Sequence, residues 1–322
     1  MISMTMRALF AACSALLAVP ATAQNFPTRA VRLIVPYAPG GSTDVVFRIL
    51  APRLSEDLGQ SVVVENRPGG SSTIGLDLAA KAPPDGHTWG INNITYGANP
   101  SLIRKMPFDS EKDLLPVSQV TVVNLVLSLH PSVPARSVKE LIALAKSRPG
   151  QLNFSSAGNA SANHLATAKF MNQTGTRMVH VPYKGGGPAV ISLVGGETSL
   201  LFATIPSAID HIKVGRLRAI GVSRAQRSSV LPDVPTIAEA GVPKFEAIEW
   251  NGVMLPAGTP PATIRRAHQS IAKALALPAV QERIVAVGAE VVGSSPEEFG
   301  AFLKSEFASW AKVIKEVGIA VE

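Results

Sequence analysis

The chain predicts an α/β fold with mostly parallel sheets, and two observations carry that reading. Short β-branched or apolar runs alternate with helix-period segments along nearly the whole length, and small-residue loops sit where several of those runs end. The sequence holds no internal repeat, charge block or low-complexity tract.

The first unit is the apolar run 31–35, read as a buried parallel strand, followed by Pro36-Tyr37-Ala38-Pro39-Gly40-Gly41-Ser42-Thr43-Asp44 and a helical pattern over 45–58. Glycines let that loop turn without a Cβ clash. Ser42 or Thr43 is expected to cap the helix, with Asp44 in its first turn. A β-branched run at 61–65, a Gly/Ser-rich loop and a helix at 74–81 follow, stopped by Pro83-Pro84-Asp85-Gly86 before a strand at 87–92. The long apolar stretch 117–129 reads as a strand crossing between domains. Ser137 with Glu140 forms a capping-box signature for a helix at 138–147, ended by Pro149-Gly150. Strand 152–155 leads to the loop Ser155-Ser156-Ala157-Gly158-Asn159-Ala160-Ser161 and a helix over 160–174. Strand 179–182 leads to Tyr183-Lys184-Gly185-Gly186-Gly187 and a helix from Pro188, a residue suited to a helix start, to 195. Strands at 199–204 and 217–223, a turn-rich tract at 232–243 and a second crossover at 245–255 come next. Helices at 261–275 and 296–317 finish the chain, separated by a segment at 279–287 and a short strand at 290–292.

Two single crossings imply a discontinuous first lobe, 24–125 plus 247–322, and a second lobe, 126–246. A hinge is expected near residues 122–127 and 248–254, and a cleft between lobes favours a small-ligand site.

The N-terminus bears Arg7, an apolar run from Ala8 to Val19 and Ala21-Thr22-Ala23. That order is a secretory signal, so residues 1–23 are expected to be removed, leaving Gln24 first. Spanning a bilayer takes about 20 apolar residues, and no later segment reaches that length. A lipoprotein anchor at Cys13 is the competing reading of this end. Cys13 is the single cysteine, so the processed chain would have no disulfide and no thiolate chemistry. Roughly 300 residues suffice to bury a core without one. The net charge is +7, with basic residues spread along the chain and aromatics at only 5%. A nucleic-acid partner is therefore not expected. Six scattered histidines show no metal spacing, and no nucleophile elbow occurs, so neither a metal nor a catalytic residue is assigned.

Three small-residue loops remain. Free N–H groups at a strand–loop–helix junction form an anion site. With no catalytic motif beside them, they point to capture of a small anion. Lys184 reads equally as a ligand group or a solvated loop lysine, His164 as a capping or core histidine, and Trp250 as core or hinge. Asn93-Ile94-Thr95 spells a glycosylation site that is discounted here.

In order, Pro36 to Asp44, Glu65-Asn66-Arg67-Pro68-Gly69, Asp113-Leu114-Leu115-Pro116-Val117, Ser155-Ser156-Ala157-Gly158 with His164-Leu165, and His180-Val181-Pro182-Tyr183-Lys184-Gly185-Gly186 follow one family's pattern. So do Pro232-Asp233-Val234-Pro235-Thr236 and Trp250-Asn251-Gly252 with Pro256-Ala257-Gly258-Thr259-Pro260. The chain resembles the solute-binding receptors of tripartite tricarboxylate transporters, the Bug or TctC-like family, over essentially its whole processed length. The resemblance implies a two-lobe Venus-flytrap periplasmic binding protein of type II, with no cofactor. It implies a monomer that carries a small carboxylate to one large and one small multi-span membrane subunit. A sensor adaptor, or an exported enzyme acting on a carboxylated substrate, is the alternative.

The ligand-gripping segments it implies are Tyr37, Ala38, Gly40, Gly41, Ser42 and Thr43; Ser156, Ala157, Gly158, Asn159 and His164; and Tyr183, Lys184, Gly185, Gly186 and Gly187. Ala203 and Thr204 complete the set. Two departures stand out. Gly69-Gly70-Ser71-Ser72 replaces Gly-Ala-Gly-Gly, placing two hydroxyls near the site. Ala203 stands where family members often carry an acidic residue, which argues against an amino-acid ligand.

Overall fold

One strand organises the molecule. In the computed structural model, which describes residues 26–317, the chain runs from Leu114 to Leu129 as a single extended strand. Its first part pairs with one set of strands and its last five residues with another. The expectations for residues 1–23, including Cys13 and cleavage after Ala23, lie outside the described residues.

In chain order the strands are β1 (Val31–Val35), β2 (Val62–Asn66), β3 (Thr88–Asn93), β4 (Leu114–Leu129), β5 (Asn153–Ser156), β6 (Val179–Pro182), β7 (Leu200–Thr204), β8 (Arg218–Val222), β9 (Ile248–Pro256) and β10 (Ala289–Val291). The helices are α1 (Ser42–Leu58), α2 (Thr73–Ala80), α3 (Ile94–Leu102), α4 (Val138–Ser147), α5 (Ala162–Thr174), α6 (Gly186–Val194), α7 (Ile205–Lys213), α8 (Pro261–Ala276), α9 (Pro278–Ala286) and α10 (Pro296–Val317). The strand path is β2-β1-β3-β9-β4-β7-β5-β6, with β8 and β10 also on β4.

β1, β2 and β3 pair in parallel, as do β5, β6 and β7. The parallel expectation therefore holds at the heart of each lobe. Around β4 it does not: β4 meets β7, β8, β9 and β10 antiparallel, and β3 meets β9 antiparallel. The sheets are mixed because both long strands return against the direction of the βαβ units.

Register fixes the crossing point. Asn124 is the last β4 residue paired with β9, and Leu125 the first paired with β7. Buried Ser223 pins the two crossings together, with Leu125 N donating to its Oγ at 3.0 Å and that hydroxyl donating to Ala247 O at 2.5 Å.

The first lobe buries β1 and the apolar face of α1 against α8 and α9, through Leu33, Phe47, Leu50, Ile271 and Ile284. Burying side chains of that size stabilises a core by about 1.5–3 kcal/mol each. α1 stops at Gly59, whose φ of 67° is the left-handed C-cap that glycine adopts freely. In the second lobe, Val126, Leu201, Ala203, Ala189 and Ile209 form one core.

Three helices were not legible as such, one of them α9, which the sequence offered only as a segment between the last two helices. α3 contains Gly97 and Pro100, yet it forms because Asn93 caps it, accepting from Thr95 N at 3.0 Å, and because Tyr96 buries its ring. That cap also puts the Asn93 side chain inside the protein, so the apparent glycosylation site is buried. α7 follows β7 with no intervening loop, started by Pro206. Among the described residues, no helix is long and apolar enough to cross a membrane.

Candidate functional site

The first loop is built to hold its own shape. Gly40, at φ 82°, donates its N–H to Asp44 Oδ2 at 3.0 Å. Asp44 also takes Arg48 Nε at 3.0 Å and Asn66 Nδ2 at 2.9 Å. Burial pushes the Asp44 carboxyl up, but these donors outweigh it and hold the group below the ordinary aspartate range. Asp44 is therefore a loop brace rather than a base.

Ser42 and Thr43 do not cap α1 as expected. The N-cap is Gly41, with no side-chain cap. Ser42 Oγ donates to Glu249 Oε1, and Thr43 Oγ1 to Asn251 Oδ1 at 2.7 Å. The helix start is thus stitched to β9. Tyr37 OH donates to Asn93 Oδ1 at 2.6 Å, and burial holds its phenol above the ordinary tyrosine range.

The second loop, after β5, is held by Asn163. Its Nδ2 donates to Phe202 O at 2.6 Å, and its Oδ1 accepts Ala157 N at 3.3 Å. Ser161 caps α5, accepting from His164 N. The third loop is tied to the second by Tyr183 N donating to Ser156 O at 2.9 Å. Gly185, at φ 149°, then turns the chain into α6.

Across the cleft the loops touch. Ala38 N donates to Lys184 O at 2.9 Å. A Cβ on Gly41 would lie 3.4 Å from Gly186 N, and one on Gly40 would lie 3.6 Å from Gly187 Cα. Between the lobes lies a small cavity of about 20 Å³, lined by Tyr37, Gly41, Ser42 and Thr43 from one side and by Ala157, Asn163, Gly186 and Thr204 from the other, with Glu249. Outside it opens a cavity of about 280 Å³, walled by Tyr37, Ser71, Ser72, Ala157, Gly158, Asn159, Tyr183 and Lys184. Tyr37 and Ala157 wall both. A larger groove, about 500 Å³, lies between α5 and α10, but none of the three loops reaches it.

Most of the anticipated residues therefore converge. Two do not. Ala203 packs in the apolar core of the second lobe, because the pleat sends Thr204, not Ala203, to the cavity. The argument against an amino-acid ligand from position 203 lapses with it. His164 lies under the loop, stacked on His180 with ring centroids 4.1 Å apart, while His180 stacks on Phe154. Burial lowers both imidazoles to about 4, so they are neutral props.

Sequence reading missed Asn93, Asn163 and Glu249, and had Ser161 only as the last residue of the second loop. Glu249 left a signal: it is a charge inside an otherwise apolar strand pattern, at 4% exposure. Burial raises its carboxyl to about 7, against the hydrogen bond from Ser42. Ser71 and Ser72 hold φ of 49° and 76°, a region in which glycine is at ease, and their segment walls the outer cavity.

The comparisons with known proteins agree with this architecture. The tripartite tricarboxylate transporter family receptor model, TctC, matches residues 46–319. Protein BugT of Bordetella pertussis is 40% identical over 304 residues, covering 94% of this chain and 93% of the relative. The structure of R. palustris Rpa4515 with adipate superposes with a TM-score of 0.89 at 37% identity, covering 92% of this chain and 99% of that one. The periplasmic binding protein BugD superposes equally well, at 0.89 and 32% identity, over 92% of this chain and 99% of its own. A two-lobe binding-protein fold and a family match over most of the sequence lead to one assignment: the chain belongs to the receptor family of the tripartite tricarboxylate transporters.

Proposed function

We propose that this protein is a periplasmic receptor that closes its lobes on a small carboxylate and delivers it to the large and small membrane subunits of a tripartite transporter. The carrying observation is the convergence of three small-residue loops from both lobes on one cavity, with the amino-terminal turn of α1 in its wall. Backbone N–H groups at such a turn suit an anion. Each charge-assisted bond contributes about 1.5–3 kcal/mol, so a few of them, less the ordering cost, reach micromolar affinity, about −8 kcal/mol. The adipate carried by Rpa4515 supports a carboxylate class, and BugD supports a periplasmic location.

The lobes are taken as 24–125 plus 247–322 and 126–246, a division supported by the change of pairing partner between Asn124 and Leu125. Binding rather than catalysis is supported by the fate of the α1-turn hydroxyls, which end on Glu249 and Asn251; the hydroxyl that does meet a histidine, Ser156 on His180 Nε2 at 2.6 Å, is fully buried and lines neither cavity.

A thermal-shift screen of adipate, succinate, malate, citrate, benzoate, aspartate and glutamate tests the reading. A ligand at 100 times its Kd adds about 2.7 kcal/mol of stability. A stabilising carboxylate is expected, and its uptake by cells should fail when either membrane subunit is deleted. A protein that ignores every carboxylate at millimolar concentration refutes the assignment.

A further inference from the structure

Glu249 sits on β9 at the floor of the cleft, with its side chain almost wholly buried. It lines the small cavity together with Gly41, Ser42 and Thr43 of the α1 turn. One carboxyl oxygen, Oε1, accepts from Ser42 Oγ. The groups around it come from every neighbouring element. Tyr37 comes from the β1–α1 loop, Asn93 from the head of α3, Ser161 and Asn163 from the start of α5, and Thr204 from the end of β7. Val123 of β4 is its register partner. Of these only Tyr37 titrates, and none is cationic. The nearest acid on α1, Asp44, is turned away to Arg48 and Asn66.

This arrangement sets a conflict. The α1 turn is where an anion is best held, yet a carboxylate placed there meets a second, buried carboxyl in a small space. Two carboxylates sharing such a site cannot both stay ionised, so one takes a proton. The ligand's group is the one stabilised by backbone N–H donors, which leaves Glu249 as the proton acceptor.

Resting on the reading of the cleft as a carboxylate site, we infer that Glu249 is a proton-linked recognition residue. It binds the ligand carboxylate in its neutral form, donating an O–H···O⁻ hydrogen bond, and above the free group's own value each capture takes up to one proton from solvent. Release of the ligand returns that proton. Burial already holds the free group near neutrality, at about 7, so the linkage falls within the physiological range. Bound ligand raises the group further. Affinity is then level at acid pH and falls as pH rises above the free value, by at most about tenfold per unit.

The test is calorimetry on the intact processed protein from pH 6.5 to 8.5, with adipate or whichever screened carboxylate gives the largest thermal shift. Its carboxyls should be ionised throughout the range. Two buffers of different ionisation enthalpy count the protons. About one proton is expected to be taken up per ligand at pH 8, with affinity falling about tenfold from pH 7.5 to pH 8.5. E249Q keeps a neutral donor, so it should show no uptake, a flat profile and affinity at pH 8 at least equal to wild type. The proton count needs no variant, so a misfolded E249Q leaves the proposal decidable. Wild-type binding without proton uptake overturns it, as does a folded E249Q that keeps the wild-type slope. Aspartate binding more tightly than succinate, with affinity level or rising with pH, also overturns it, since Glu249 would then be an ionised partner for an ammonium. Failure of every carboxylate to bind the wild type at any pH is a different result. It removes the carboxylate site itself, and this inference with it.

Discussion

The backbone N–H of Ala38 donates to the carbonyl oxygen of Lys184 across the cleft, at 2.9 Å. Loops from opposite lobes are joined there without any side chain. Such an approach requires glycine, and Gly187 faces the Pro39–Gly40 segment while Gly186 faces Gly41. Under the proposed function, closure on a ligand is coupled to capture through this bare backbone.

Gly187→Ala should weaken ligand binding while each lobe stays folded. Its Cβ would overlap Pro39 O, in the loop that faces it across the cleft. Overpacking of this kind costs about 1–3 kcal/mol, or about 5- to 150-fold in affinity. Gly186→Val should act in the same direction, since even a bare Cβ there would sit 3.3 Å from Gly41 Cα. Calorimetry beside a far-UV spectrum checks both. Unchanged affinity in folded variants would separate closure from binding.

Asn163→Ala should lower stability by about 1–3 kcal/mol, because it removes a partner from buried Phe202 O and from the Ala157 N–H. Affinity should fall as well, since Ala157 walls both cavities. Urea denaturation and calorimetry report the two effects separately.

Stability should fall in acid through the stacked pair His164 and His180. Burial lowers each imidazole to about 4, against about 6.5 in the unfolded chain. Between those values the unfolded state binds more protons, so stability rises with pH there. The contribution is complete above about pH 6.5 and is lost as pH falls through 4, at no more than about 1.4 kcal/mol per pH unit for each group. Denaturation midpoints from pH 7 to pH 4 check this, and His180→Phe should flatten the profile.

Ser223→Ala should destabilise the crossing. The hydroxyl serves both Leu125 N and Ala247 O in a fully buried position, and stranding such groups costs about 1–3 kcal/mol. Scattering with and without saturating ligand should also show a change in radius of gyration for the wild type, reporting closure about these two strands.

What was legible in the sequence follows from what is local. The run Val31–Val35 and its glycine loop announce a strand and a turn, and Ser137 with Glu140 announces a cap; Glu140 N does donate to Ser137 Oγ, at 3.2 Å. Motif order across the chain carried the family and the three loops. What depends on distant partners was not legible. Ser42 and Thr43 look like caps, but residues more than 200 positions away claim their hydroxyls. The choice between Ala203 and Thr204 is one step of pleat, which a motif aligned by eye does not fix. α3 violates helix propensity at Gly97 and Pro100, and tertiary burial of Tyr96 overrides it. Glu249 was visible as a residue, but its role depends on the α1 turn that the fold brings to it.

The central claim is that a carboxylate is held between the lobes by the α1 turn and the β5–α5 and β6–α6 loops. A crystal structure with the carboxylate that most stabilises the protein tests it directly. The ligand is expected beside Ser42, Thr43 and Glu249 on one side and Ala157 and Asn163 on the other, with both lobes in contact. A ligand seated instead in the groove between α5 and α10, or touching one lobe alone, would contradict it.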